Sequence, residues 1–379
     1  MTRLTQLGAI VITTITAICA APLAYASYPQ LSEGVSNNAV AKVSTTKGDY
    51  LISFTGLAEG KDYQAVHNKV WGINLSTSDS QWQALKPVPF VAPLAGRLAS
   101  IAVGIDEKAY VFGGYTVAKN HEEISTVDNY QFDILTNHYQ RIADMPVAVD
   151  DTAASVYQQR YIYLFGGWHN DGNVNLVQVY DTKTDTWEQA SPIPAPAVFG
   201  QAVAMSGNKI VLCDGVKVQA NIGKRRNYQS SPVCLFGKVN PENHLRISWQ
   251  LLPHYSISEQ AAKLNKAPTA TAHYRMAATG ISDSSEGQAI FMAGSNNPYN
   301  YSGIGYNGDP SAPHNVQYTF DFKSMQWLTP VTLNVPSMDH RGLICHHDQL
   351  LRIGGMLEKQ QVSKQVLVSP LINGQKCTQ

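Results

Sequence analysis

The chain has 379 residues, and its 28 Lys+Arg are matched by 28 Asp+Glu, a formal net charge of zero. That balance supplies no long-range field to attract nucleic acid or an anionic membrane surface. Charged residues make up only 15%, as expected of a β-rich protein with polar rather than ionic loops.

The first 26 residues read as a signal peptide rather than as part of a fold. Arg3 supplies a positive start, Leu7 to Ala21 an apolar run, and Ala24-Tyr25-Ala26 an A-x-A cleavage pattern before Ser27. No later stretch approaches the roughly 18 apolar residues of a membrane span. The expectation is a periplasmic or secreted protein whose residues 27–379 form one domain, with no linker or low-complexity segment.

Four cysteines follow the leader, and an exported chain meets an oxidising compartment. A hairpin closing at Gly215 and Pro232 sets Cys213 and Cys234 directly opposite on adjacent strands, close enough to be bridged. Two buried thiols are the alternative. Cys345 and Cys377 carry no comparable register argument, and no CxxC-type metal spacing is present.

A short β-rich run ending in a glycine pair or its remnant recurs six times. The clearest copy predicts strands at 151–158, 161–167, 177–183 and 186–191, supported by alternating apolar and polar residues. The glycine pairs are Gly113-Gly114, Gly166-Gly167 and Gly354-Gly355, with remnants at Gly56-Leu57, Asp214-Gly215 and Ala293-Gly294. The second strands fall at 50–57, 108–114, 161–167, 209–215, 289–294 and 349–355. Outer strands follow at Trp82, Tyr139, Trp187, Trp249 and Trp327, with their rings expected over the glycines. The sixth copy lacks a fourth strand, and residues 28–32 are expected to supply it and close the ring, leaving no exposed sheet edge.

A period near 50 residues with this content resembles the kelch-repeat superfamily over residues 27–379. The resemblance implies an all-β fold, a six-bladed β-propeller. The six-bladed build also resembles the bacterial N-acetylneuraminate epimerases and a group of secreted bacterial kelch proteins, through 297–306 and Met338-Asp339-His340-Arg341-Gly342. In that epimerase family a glutamate viewed as the base follows the glycine of the fourth second strand. Here Asp214-Gly215 is followed by Val216, which cannot transfer protons.

Propeller geometry gathers the loops between second and third strands, and the connections between blades, on one face. The His346-His347-Asp348 turn falls on the other and is expected to be solvated. Arg97, Arg275 and Arg341 each precede an inner strand and are expected at the channel mouth, where guanidinium forks bind carboxylate or phosphate. Arg225 and Arg226 add to the same site. Asp150, Asp151 and Asp339 offer the opposing structural reading, as counter-ions. Asn297, Tyr299, Tyr301 and Tyr306 mix aromatic faces with polar tips, chemistry that suits a sugar, while a self-packed loop is the alternative. His169 lies just after the third glycine pair.

The functional expectation is a carbohydrate- or glycan-binding propeller, with a protein partner as an alternative, and with neither cofactor nor metal. A sugar epimerase or mutarotase is the enzymatic alternative, with His273, His340 and Asp339 as proton carriers. A galactose-oxidase-like copper site is excluded because no cysteine lies in a loop of that face.

Overall fold

The computed structural model describes residues 28–90, 96–120, 122–219, 226–257, 270–282, 286–371 and 377. The leader reading over residues 1–26 and Arg225 lie outside the described residues. Six antiparallel sheets follow one another along the chain, as the sixfold repeat predicts. Blade 3 shows the pattern: Ala153–Tyr157 innermost, then Tyr161–Phe165, Val177–Asp181 and Thr186–Gln189. The inner strands of the other blades are Ala39–Thr45, Ile101–Ile105, Ala202–Ser206, Ala277–Ile281 and Ile344–His346. The second strands carry continuous apolar runs because both faces are covered: Tyr161–Phe165 is buried at every position.

Each second strand ends in two consecutive left-handed residues: Thr55-Gly56, Gly113-Gly114, Gly166-Gly167, Asp214-Gly215, Ala293-Gly294 and Gly354-Gly355. The first repeat's pair is therefore Thr55-Gly56, one residue earlier than its glycine pattern suggested. The two positions differ physically. The first has φ between 55° and 69° and accepts Thr, Asp or Ala. The second has φ between 86° and 120° and is always glycine. A Cβ on Gly167 would lie 2.6 Å from the Asp150 carbonyl oxygen, and one on Gly355 would lie 2.7 Å from that of Met338. Equivalent bridges, such as Asp150 with Trp168 and Met338 with Met356, bring the interblade connection onto this turn.

The outer aromatic rings do not cover these glycines, because backbone carbonyls already occupy that space. They reach sideways instead. Trp187 Nε1 donates to the Ala143 carbonyl (2.9 Å), Trp327 Nε1 to that of Pro253 (2.8 Å), and Tyr139 Oη to that of Lys86 (3.0 Å). Each acceptor follows the outer strand of the preceding blade. Trp82 Nε1 makes the same bond to Pro29 (2.9 Å), so Pro29 stands where the sixth blade's outer strand would end.

Leu31 N and Val35 N bond to the Lys364 and Ser363 carbonyls (2.8 and 3.0 Å). The N-terminal segment thus fills the outer place of the sixth blade, as an irregular stretch rather than a regular strand. His346 belongs to this closure. It is buried, with Nδ1 at 3.0 Å from the Tyr28 hydroxyl, so it is not the solvated turn residue its sequence position suggests.

Gly167→Ala is expected to cost about 2 kcal/mol or more through strain and overlap. Gly166→Asn should cost less than about 1 kcal/mol, because asparagine tolerates the left-handed region. Urea unfolding of both variants reads the difference, and equal losses would refute the distinction between the two positions.

Candidate functional site

Just ahead of each inner strand the chain passes through one left-handed residue: Asn37, Ala99, Asp151, Gly200, Arg275 and Asp339, with φ from 50° to 68°. These six turns meet at the axis and hydrogen-bond in a circle. Asp151 N donates to the Ala99 carbonyl (3.2 Å), Gly200 N to Asp151 (2.9 Å) and Arg275 N to Gly200 (3.0 Å). His340 N then donates to Arg275 (3.3 Å) and Asn37 N to Asp339 (3.3 Å). Ala99 N completes the circle on Asn37 Oδ1 (3.0 Å).

Side chains lock the same point. Arg275 donates through Nε and Nη2 to the two Asp151 oxygens (3.0 and 2.5 Å), and through Nη1 to Asp339 Oδ1 (2.8 Å). Arg341 pairs with Asp151 Oδ1 and donates from Nε to Asn37 Oδ1 (2.7 Å). All of these side chains are buried. Burial alone would raise the Asp151 carboxyl, but Arg275 and Arg341 outweigh it and hold the group below the usual carboxylate range.

The expected anion clamp is therefore corrected. Arg275 and Arg341 reach the axis, but neighbouring carboxylates engage them there. Arg97 does not reach the axis at all: it pairs within its own blade with Asp128 Oδ2 (2.7 Å). Of the two readings of these arginines, the structure places them with counter-ions.

Above this lock lies a cavity of ≈ 460 Å³. The loops of blades 2 to 5 build its walls. In blades 2 to 4 the loop is a short ribbon continuing from the glycine turn: Tyr115–Val117 with Glu123–Ser125, Trp168–His169 with Gly172–Asn173, and Val216–Gln219 with Asn227–Ser230. Tyr228 and Tyr306 stack at 3.9 Å and 11° on one wall, and Arg226 sits over the Trp168 ring at 5.2 Å. Asp151 and Arg275 form part of the floor, with Tyr115, Glu123 and Asp150 beside them.

Two cavity carboxyls are perturbed. Asp150 accepts from Ser125 Oγ (2.7 Å), yet burial and the Asp151 charge push its carboxyl well above the usual range. Burial raises Glu123 to about 7, opposed by Arg275 and assisted by Asp151.

Among the residues singled out from sequence, Arg226, Tyr301 and Tyr306 line the cavity. Tyr299 is buried beneath them, its hydroxyl 3.4 Å from Asp339 Oδ1 and its ring 5.3 Å from the Arg275 guanidinium. Asn297 closes its own loop through Asn307 and Asp309. His169 Nδ1 lies 2.8 Å from the Ala148 carbonyl.

The proposed proton carriers lie in scaffold networks. His340 Nε2 is 2.8 Å from Ser337 Oγ, and burial with Arg352 and Arg341 nearby lowers it to about 3. His273 falls to about 3 through burial, His314 and His254. Asp339 is fully enclosed and bonded to Arg275.

Asp214 takes His254 Nε2 (2.6 Å), the His273 amide (2.8 Å) and the Tyr255 hydroxyl. Cys213 and Cys234 are disulfide-bonded at directly paired positions, and a second disulfide joins Cys345 to Cys377. Asp214, Cys234 and His254 bring ligand-type atoms within 4.8 Å of one another, but the Cys234 sulfur is committed to its disulfide.

Glu123, Trp168 and Tyr228 escaped the sequence reading. All three occupy the same loop of successive repeats as Arg226 and Tyr306, and that shared position is the signal that marks them.

Six blades, their glycine turns and a loop-walled cavity on the axis define a kelch-repeat β-propeller. A family profile, the KLHDC2/KLHL20/DRC7 Kelch-repeats domain, matches residues 39–227. A putative F-box/kelch-repeat protein of Arabidopsis thaliana is 29% identical over 153 residues, 40% of this chain and 37% of that protein. Beta-scruin of Limulus polyphemus is 30% identical over 35% of this chain and 14% of its own length. The human Rab9 effector protein with kelch motifs is 28% identical over 28% of this chain and 29% of its own. The matched stretch thus spans well under half the length of each of these relatives. Among solved structures, that of YjhT superposes with a TM-score of 0.66 and 16% identity, covering 93% of this chain and 99% of that one, a likeness of fold. A kelch propeller supports a binding or scaffold role.

Asp151→Asn should destabilise the fold by about 3–5 kcal/mol, because it weakens the pairing of two buried guanidiniums. The sign with pH follows from the lowered carboxyl. The wild-type contribution is present above the carboxylate's unfolded pKa and is lost as pH falls through its lower folded value. Denaturant melts should show the variant deficit at pH 7 shrinking in acid, and a deficit independent of pH would contradict the pairing.

Proposed function

We propose that this protein is an exported kelch propeller that binds a carbohydrate in its top-face cavity. The observation that carries the reading is the wall itself. Trp168, Tyr228, Tyr301 and Tyr306, all half-buried, alternate with the polar groups of Glu123, Arg226 and Asn300 around ≈ 460 Å³. Sugars present flat C–H faces to aromatic rings and hydroxyls to polar tips, and one or two rings fit such a volume. The leader-like first 26 residues and the two disulfides support export, since disulfides persist in oxidising compartments.

The epimerase alternative has less support. Histidines held near 3 are neutral at physiological pH and do not serve as acids there, and Asp339 lies beneath the cavity floor. Val216 is buried against Phe199 and carries no proton.

Calorimetric titration of the protein with a panel of neutral and acidic sugars tests the reading. Saturable binding is expected, weakened by about 1 kcal/mol, roughly fivefold, in Trp168→Ala and again in Tyr228→Ala. If no sugar saturates the wild-type protein, the carbohydrate reading fails and a protein partner takes its place.

A further inference from the structure

The charges around the cavity do not cancel uniformly. On the floor, Arg275 and Arg341 face Asp151 and Asp339, two cations against two anions. Burial pushes the Asp150 carboxyl well above the usual range, toward its neutral form, and Ser125 Oγ lies 2.7 Å from its Oδ2. That leaves two cavity side chains whose charge has no local counterpart. Arg226, from the blade 4 loop, lies over Trp168 and has no carboxylate partner among the described residues. Glu123, from the blade 2 ribbon, has no cation partner among them.

Strand geometry places Glu123 relative to the floor. Glu123 and Ser125 are two residues apart on one strand and so point to the same side, roughly 7 Å apart along it. Ser125 reaches down to Asp150, so Glu123 stands one step higher, toward the mouth. Its partner strand presents Tyr115, and the interblade turn below presents Asp150 and Asp151. Blade 4 contributes Arg226 and Tyr228, and blade 5 contributes Arg275 with Tyr301 and Tyr306. Burial pushes Tyr115 and Tyr306 up, and Tyr301 is raised too.

We propose that Glu123 is the specificity-determining residue of the cavity. With its carboxyl protonated the cavity accepts a sugar acid on Arg226, and with it ionised the cavity favours a neutral sugar. The proposal rests on the carbohydrate reading above and adds the charge of the ligand and its regulation.

The electrostatics give the sign. A carboxyl is neutral below its pKa and anionic above, and Glu123 titrates near 7. Below that pH, Arg226 is the one uncompensated charge among the described cavity residues, and a carboxylate ligand is attracted. Above it, Glu123 adds a negative charge inside a confined, protein-walled space, where repulsion between like charges is stronger than in open water. A neutral sugar loses nothing by that ionisation, since a carboxylate accepts hydrogen bonds from hydroxyls as readily as a protonated carboxyl donates them.

Glucose and glucuronate, which share a ring and differ in one carboxylate, provide the probe. Their affinities are measured by titration calorimetry on the whole protein at about pH 5.5 and about pH 8.5, either side of the Glu123 transition. Wild-type protein should bind glucuronate about tenfold more tightly at the lower pH and glucose almost equally at both. Glu123→Gln should bind glucuronate at the higher pH as the wild type does at the lower one, with little pH dependence left. Arg226→Ala should lose the preference for glucuronate over glucose.

The same pH dependence in Glu123→Gln as in the wild type would overturn the proposal while leaving the sugar site standing. Glucose binding with pH-independent glucuronate binding would do the same. Binding of neither sugar at either pH would overturn this proposal, and the carbohydrate reading falls with it only if the whole sugar panel also fails to saturate. Glu123 lines the cavity rather than the hydrophobic core, so its replacement leaves the core intact, and a circular dichroism melt checks the fold.

Discussion

Six left-handed turns meet on the axis, and each is hydrogen-bonded to its neighbour around a closed circle. The rest of the propeller hangs on this constraint. A sheet that ends in an open edge can slide or pair with another chain. A closed circle of hydrogen bonds, five between backbone groups and one to the Asn37 side chain, fixes the angular place of every blade at once. The ion pairs tighten it across the axis, since Asp151 of blade 3 holds Arg275 of blade 5 and Arg341 of blade 6. Arg341 in turn reaches Asn37 of blade 1. Blades far apart in sequence are thereby tied through one buried carboxylate.

This also explains why left-handed backbone is tolerated at Arg275. A long side chain in that region carries strain of order 1 kcal/mol or more. Three charged hydrogen bonds to Asp151 and Asp339 offset it, together with rings of Tyr274 and Tyr299 at 4.7 and 5.3 Å from the guanidinium. At Asn37, Asp151, Gly200 and Asp339 the residue types already favour that conformation.

Much of the fold was legible in the chain because it is written in local repeats. The second glycine of each pair is demanded by a φ near 100° and by a carbonyl where a Cβ would go. Blade count, strand order and the opposed Cys213 and Cys234 follow from that ruler. The first position of the pair was less legible. Thr55 and Ala293 hide in it, because only a mild left-handed turn is required there. The arginines were placed by the same ruler, and Asp151 and Asp339 were among the counter-ions it offered, but the pairing between them was not legible. Arg275 and Asp151 are 124 residues apart in sequence, and no local pattern tells which carboxylate crosses the axis. Arg97 illustrates the same limit, since Asp128 lies just ahead of the third strand of its own blade rather than at the channel mouth. The cavity carboxyls are harder still: an acidic side chain in a surface ribbon looks like any solvated charge until the walls around it are known.

The division of labour between the floor and the walls has a chemical consequence. A floor of converging, unpaired arginines would bind any anion strongly and indiscriminately. By matching Arg275 and Arg341 with Asp151 and Asp339, the scaffold removes that bulk field and leaves selectivity to the loops. In blades 2 to 4 those loops are ribbons rooted directly in the glycine turns, so their side chains inherit the rigidity of the ring beneath them. Aromatic faces supply contact that depends little on charge, and among the described residues the cation on Trp168 stands opposite a titrating acid on the blade 2 ribbon. With the large charges cancelled below, the balance between those two side chains governs the electrostatics a ligand meets at the mouth.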